Sequence, residues 1–214
     1  MSSPVFLSDI GNVLVTFDFS IAARRLAEQS AFPAETVLGQ LDALKLPFEN
    51  GDMDGPTFVA KAMGAIGFAG TAAEFETIWC EIFALNRPME LSVERLAGSE
   101  VPRYLLSNTS DIHLNHLRQT FPVFRHFSDG VYSFSAQSSK PEEGIFRQVI
   151  ERFGLDPAST LFVDDLPRNV ETARKLGFWT VHYDPSDHAA FEAELERWAD
   201  RYAVELARTV DAPV

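Results

Sequence analysis

Three places in this chain set acids or small polar side chains at the end of a short apolar run. Asp9 follows the run at 5–7, Ser107-Asn108 follow 102–106, and Asp164-Asp165 follow 159–163. Runs of this length and character read as strands of a parallel sheet buried on both faces. Such a sheet gathers its strand ends on one edge, where α/β proteins bind ligands. Carboxylates at two of those ends suit a hard, oxygen-seeking cation such as Mg²⁺. A hydroxyl, an amide and the ammonium of Lys140, which stands just before Pro141, are the donors that phosphate oxygens need. Backbone N–H groups in the turns after Asp9 and Ser107 add to them. Each residue also has a plainer role. Asp9 with Gly11-Asn12 makes an ordinary turn, Ser107, Thr109 or the Asp164-Asp165 pair can cap helices, and Lys140 can be a surface lysine. Their joint arrival at matching strand ends argues for a site.

The elements that must position these residues alternate. From residue 89 onward, helical spacing at 89–97, 111–120, 141–153, 167–176 and about 187–207 is interleaved with strands at 102–106, 130–133, 159–163 and 178–182. That alternation means a parallel sheet with right-handed crossovers. Residues 19–87 differ. Helical spacing recurs at 20–29, 34–44, 56–65 and 72–85, with a loop at 47–54 and no strand. The stretch is too long for an ordinary crossover. The expected fold is therefore α/β: a doubly wound parallel-sheet (Rossmann-like) core of residues 1–18 and 88–214, with an inserted α-helical cap domain at 19–87. The tail after Arg208 is expected to fray.

Composition narrows the function. Hydrophobic residues make up 46%, enough for a substantial core, and 18 basic against 31 acidic residues give a net charge of −13. Nucleic acids and anionic membranes select for basic surfaces, so neither is an expected partner. A small anionic substrate stays open, because a metal ion and one lysine reverse the sign locally. Cys80 is the only cysteine, which rules out an intrachain disulfide and a cysteine metal cluster. Its neighbours Ile78, Trp79, Ile82 and Phe83 point to a core thiol. His126, His182 and His188 show no metal-ligand spacing. With no signal-like or bilayer-length apolar run, a soluble cytoplasmic protein is expected, as monomer or homodimer.

The segments SDIGNVLV, LLSNT, Lys140-Pro141 and LFVDDLPRNV, in that order, resemble the four motifs of the haloacid dehalogenase-like (HAD) hydrolase superfamily. The helical insertion between the first two resembles its helical cap type. DxGNV followed by SNT, KP and DDxxxN is most similar to the alpha-D-glucose-1-phosphate phosphatase group, and FENGDMDGPTF resembles that group's cap pattern. The resemblance implies a nucleophilic Asp9 that forms an aspartyl-phosphate. It implies that Ser107 and Asn108 hold the transferring phosphoryl group, and that Lys140 neutralises it and orients Asp9. Mg²⁺ would be held by Asp9, the Gly11 carbonyl and Asp165, with Asp164 as a ligand directly or one step removed and Asn169 orienting the acid. The partner would be a small phosphorylated metabolite, a sugar phosphate such as glucose 1-phosphate.

One position departs from the pattern. Most phosphatases of the superfamily place a second Asp, their general acid and base, where Gly11 stands. Such a donor is typically worth ~10²–10⁴-fold in rate. An anomeric phosphate leaves readily and tolerates the loss, and His113, on the helix after SNT, is the substitute donor the sequence offers. Phe48, Glu49 and Asn50 are candidates to line the pocket from the cap. Two alternatives accompany the phosphatase reading. A hydrolytic haloacid dehalogenase needs no metal and usually has Tyr where Gly11 stands. A catalytically weak binding or regulatory HAD-like protein has Gly11 as its only support.

Overall fold

The computed structural model describes residues 3–207; the tail after Arg208 lies outside them. Among the described residues the strands are, in chain order, β1 (Val5–Ser8), β2 (Val15–Phe17), β3 (Phe83–Leu85), β4 (Arg103–Ser107), β5 (Asp129–Tyr132), β6 (Thr160–Asp164) and β7 (Trp179–His182). Five of them form a sheet in the order β5-β4-β1-β6-β7, and all its pairings are parallel. β1 is central and buried along its whole length. Its alternation sends Phe6 to one face and Val5 and Leu7 to the other.

Helices cover both faces. Met89 and Val93 of α6 (Arg87–Ala97), Leu114 of α7 (Asp111–Thr120) and Trp198 of α11 (His188–Tyr202) pack on the Phe6 side. Phe146 and Val149 of α9 (Glu143–Phe153), which follows the short α8 (Ser133–Ala136), and Ala173 of α10 (Pro167–Lys175) pack on the Leu7 side. The doubly wound α/β arrangement is the expected one. From β1 the chain reaches β4 on one flank and later β6 on the other, so the crevice opens at the carboxyl ends of these three strands.

A helical layer is inserted between β2 and β3: α1 (Phe19–Ala27), α2 (Ala34–Val37), α3 (Asp42–Glu49), α4 (Gly55–Ile66) and α5 (Ala72–Cys80). It has its own apolar cluster, with Leu26, Leu41, Phe58 and Phe75 fully buried. Its helix starts are capped as their residue types prescribe. Asp18 accepts from the Ser20 N–H (2.8 Å), Asp54 from the Thr57 N–H (2.9 Å), and Thr71 with Glu74 forms a capping box.

Two expectations are corrected here. The helix expected over 72–85 ends at Cys80, and Phe83–Leu85 instead pairs antiparallel with β2, Val15 opposite Leu85 and Phe17 opposite Phe83. The insertion thus enters and leaves through a two-stranded ribbon, which the helical spacing concealed. The helix expected over 34–44 breaks at a 3-10 turn over Leu38–Leu41, which contains Gly39, a poor helix former. Helix resumes as α3 through Pro47, where a loop was expected. Leu41 and Phe48, two turns apart, are both buried in the insertion's cluster, and that packing overrides the proline. No helix among the described residues is long and apolar enough to cross a membrane.

Cys80 is buried, with its Sγ 4.0 Å from the Ile112 carbonyl. Burial, aided by the nearby Glu76, pushes its thiol up to about 12. Because the thiolate is the reactive form, a thiol reagent at pH 8 should label native Cys80 about a thousandfold more slowly than Cys80 in denaturant. Equal labelling rates would contradict the burial of this side chain.

Candidate active site

The ladder between β1 and β6 continues one residue past β1, where the Asp9 N–H donates to the Val163 carbonyl (2.9 Å). This holds Asp9 beside the end of β6. Between them lies Lys140, only 3% exposed, with Nζ 2.9 Å from Asp9 Oδ1 and 2.6 Å from Asp164 Oδ2. Asp164 is fully buried and also accepts from Asn169 Nδ2 (2.9 and 3.1 Å) and the Leu166 N–H (2.9 Å). Both of its oxygens are therefore engaged. Asp165 is half-buried and accepts from Asn12 Nδ2 at 2.9 Å. Asn12 makes the turn after Asp9 with a left-handed φ of 53°, a conformation that Asn tolerates better than most residues.

One carboxylate oxygen each from Asp9, Asp164 and Asp165 lies within 4.8 Å of the others. An all-oxygen set of this kind fits a hard divalent cation. Asp9 and Asp165 have capacity left for it, whereas the bonds at Asp164 direct that acid to Lys140 and Asn169.

The electrostatics follow from burial and crowding. Desolvation pushes the Asp9 carboxyl up to about 6, against the pull of Lys140 and with the push of Asp164. Asp165 is raised for the same first reason, with Asn12 opposing. Burial by itself would lower Lys140, but Asp9 and Asp164 outweigh it and hold the ammonium above its ordinary range. The lysine stays charged, and Asp9 and Asp165 are strained towards accepting a cation.

Ser107 is buried at the end of β4. Asn108 turns its carboxamide to the Lys140 backbone, donating to the Lys140 carbonyl (2.9 Å) and accepting from its N–H (2.8 Å). Its amide thus fixes the loop that delivers the lysine. Beside these residues is a cavity of about 90 Å³. Ile10, Gly11, Ser107, Asn108 and Thr109 wall it at the sheet edge, Phe17 and Phe83 from the ribbon, Phe19 and Glu49 from the insertion, and His113 and Leu117 from α7. A Cβ on Gly11 would stand 3.1 Å from the Phe17 ring, so the ribbon fills the space a side chain at 11 would use. A larger groove of about 450 Å³ between α5 and α7 is lined by Glu76, Glu81 and Asp111. Its acids repel phosphate, and it lies away from Lys140.

Of the pocket candidates in the insertion, Glu49 reaches the cavity, Phe48 stacks on Phe58 inside the helical layer, and Asn50 accepts from Ser139 Oγ (2.7 Å) next to Lys140. His113 lies against the rings of Trp79 and Phe83, with Nε2 3.2 Å from the Trp79 carbonyl. Burial pushes it down to about 4. It is neutral at pH 7 and holds no acidic proton for a leaving group. Sequence reasoning missed Asn12 and Ser133, and gave His182 no place in the site. Ser133 Oγ accepts from the Thr109 N–H (3.0 Å) and donates to the Glu49 carbonyl (2.6 Å), linking the insertion to the strand-end loop. His182 Nε2 lies 2.9 Å from the Asp165 carbonyl. A Gly-Asn pair straight after an acidic strand end was the available signal for Asn12; Ser133 and His182 had none beyond their place near strand ends.

A family model for haloacid dehalogenase-like hydrolases matches residues 6–177, and the chain belongs to that family. The D-ribitol-5-phosphate phosphatase of Bacteroides thetaiotaomicron is 25% identical over 197 residues, which cover 87% of this chain and 94% of that protein. Acyl-CoA dehydrogenase family member 10 of Mus musculus is 31% identical over 87 residues, 40% of this chain but only 8% of the mouse protein. Among solved structures, a HAD family enzyme of Bacteroides thetaiotaomicron in complex with magnesium and inorganic phosphate matches at 25% identity with a TM-score of 0.75. The match covers 86% of this chain and 95% of that one.

Proposed function

We propose that this chain is a Mg²⁺-dependent phosphatase that hydrolyses a small sugar or polyol phosphate through an aspartyl-phosphate on Asp9. The observation that supports this most directly is the buried Lys140 bridging Asp9 and Asp164 with Asp165 beside them, its backbone held by Asn108, which with Ser107 lines the neighbouring cavity. The magnesium and phosphate found with the Bacteroides enzyme, and the phosphatase activity named for the relative, agree with it.

In this reading an Asp9 oxygen attacks phosphorus while the ester P–O bond breaks, its electron pair leaving with the alkoxide. Water then cleaves the phospho-aspartate, releasing phosphate and restoring Asp9. Lys140 and the Ser107 hydroxyl stabilise charge on the phosphoryl oxygens, and Asn108 and Asp164 keep Lys140 in place. Asp9, the Gly11 carbonyl and Asp165 would hold the metal, and Asn169 steadies Asp164. When bound, Mg²⁺ supplies the charge masking that lets a carboxylate approach a phosphate dianion. With glycine at position 11, the departing alkoxide takes its proton from water, which favours esters with good leaving groups, glucose 1-phosphate among them. Residues 19–87 act as a cap that excludes bulk water, and 1–18 with 88–214 form the catalytic core. The setting is cytoplasmic, and the protein works as a monomer or homodimer. Dehalogenation needs no metal: Asp9 would still attack and Asp164 would still hold Lys140, but Asp165 would be left without a purpose.

The test is phosphate release from glucose 1-phosphate, ribitol 5-phosphate, glycerol 3-phosphate and a set of nucleotides, with Mg²⁺ and with a chelator. Release from at least one ester, falling about a hundredfold or more on chelation, is the expected result. No release from any ester in the presence of Mg²⁺ would overturn the reading.

A further inference from the structure

His113 sits in the cavity wall, yet it is neither charged nor used by the chemistry just described. Its ring nitrogens can be told apart. Nε2 is 3.2 Å from the Trp79 carbonyl, and a carbonyl oxygen only accepts, so Nε2 carries the proton and Nδ1 presents a lone pair. Nδ1 has no hydrogen-bond partner in the protein among the described residues. It is not sealed away either, because the only polar side-chain atoms there that are both buried and unpartnered are Trp79 Nε1 and Asn169 Oδ1. The ring is clamped by Trp79, stacked at 5.8 Å, and by Phe83, edge-on at 5.0 Å. A clamped, neutral acceptor therefore opens onto the space next to Ser107 and Asn108. The other polar side chain facing that space from outside the strand-end loops is the Glu49 carboxylate, also an acceptor.

The cavity is otherwise walled by Phe17, Phe19, Phe83, Ile10 and Leu117. At about 90 Å³ it holds roughly three water molecules' worth of liquid volume. The two or three carbons nearest the ester oxygen fit within it. The Ser107 hydroxyl serves the phosphoryl group, and the Asn108 amide donates to the Lys140 backbone. Thr109 apart, the side chains left facing a leaving group are acceptors in an aromatic box, and they call for a ligand that brings hydroxyl hydrogens.

We propose that His113 Nδ1 accepts a hydrogen bond from a hydroxyl close to the ester oxygen of the leaving group, making His113 a specificity-determining residue for short hydroxylated leaving groups. The inference rests on the phosphatase reading. A site built to bond a hydroxyl rejects the analogue lacking it, because its own polar group is then left unpaired.

The experiment compares kcat/KM for glycerol 3-phosphate and n-propyl phosphate in the wild type and in His113→Phe, with Mg²⁺ present. The two esters differ in hydroxyls close to the ester oxygen, and the comparison between enzymes cancels their difference in leaving-group strength. The wild-type preference for glycerol 3-phosphate should fall about tenfold in His113→Phe. His113→Asn, which keeps a polar atom at the δ position, should retain most of the preference, and His113→Gln, which moves it to ε, should lose it. The Asn and Gln variants decide the matter if the Phe variant does not fold. An unchanged preference in active variants overturns the inference alone. No turnover of either ester by a wild type that hydrolyses another phosphate ester also overturns this inference alone. No release from any ester overturns the phosphatase reading and this inference with it.

Discussion

Asp9→Asn should release phosphate at least ~10⁴-fold more slowly than the wild type, since no other group among the described residues stands where Asp9 stands to form the phospho-enzyme. The same substitution should stabilise the protein in chelator. Asp9 is buried, and its carboxyl is pushed up to about 6 from an ordinary 3.8. The folded state therefore binds more protons than the unfolded state between those values. The destabilisation is absent below about 3.8 and fully present above about 6, where it amounts to about 3 kcal/mol. At pH 7.5 without metal, Asp9→Asn should thus melt higher than the wild type, with the gap closing as pH falls to 4. Adding Mg²⁺ should raise the wild-type Tm and leave the variant nearly unmoved. A stable variant that keeps full turnover would remove Asp9 from the chemistry. A variant that is no more stable in chelator would remove the strain argument.

Lys140→Met should have the second largest effect, with the opposite sign for stability. The side chain is buried between Asp9 Oδ1 and Asp164 Oδ2, at 2.9 and 2.6 Å. Truncating the cation leaves three carboxylates within 4.8 Å of one another and no charge to offset them. Breaking a buried ion pair from one side costs about 3–5 kcal/mol, so the metal-free variant should melt roughly 10 °C lower. Turnover should drop about 10³-fold, the scale of losing a preorganised charge at the reacting centre. Calorimetric Mg²⁺ titration separates these roles. With the competing ammonium gone, the acids should bind Mg²⁺ more tightly even as turnover falls. Weaker Mg²⁺ binding in Lys140→Met would mean that the lysine organises the metal site and does not compete with it.

The strategic residues were legible in the sequence for local reasons. A short apolar run that stops at an acid marks the end of a buried strand wherever it falls, and the alternation from residue 89 onward admits a parallel sheet and little else. Asp9, Ser107, Asp164 and Asp165 could be singled out because they occupy those ends, and Lys140 because its loop before Pro141 could reach the same edge. The insertion was read less well. Its ribbon depends on Val15 meeting Leu85 and Phe17 meeting Phe83, and no window of sequence contains both halves. Pro47 within α3 was misread for the same reason, since the packing that carries helix through it comes from other helices.

What the sequence by itself determined was the class of fold, the order of its elements and the kinds of groups brought to the sheet edge. These follow from periodicity and side-chain chemistry, which each segment carries alone. The tertiary structure decided which group serves which. Asp164 belongs to Lys140, 24 residues away, and to Asn169. Asn108 spends its amide on the Lys140 backbone, and the Trp79 carbonyl settles which nitrogen of His113 is free. Hydrogen bonds saturate, so a residue's role depends on which partners reach it first, and only the folded chain places those partners.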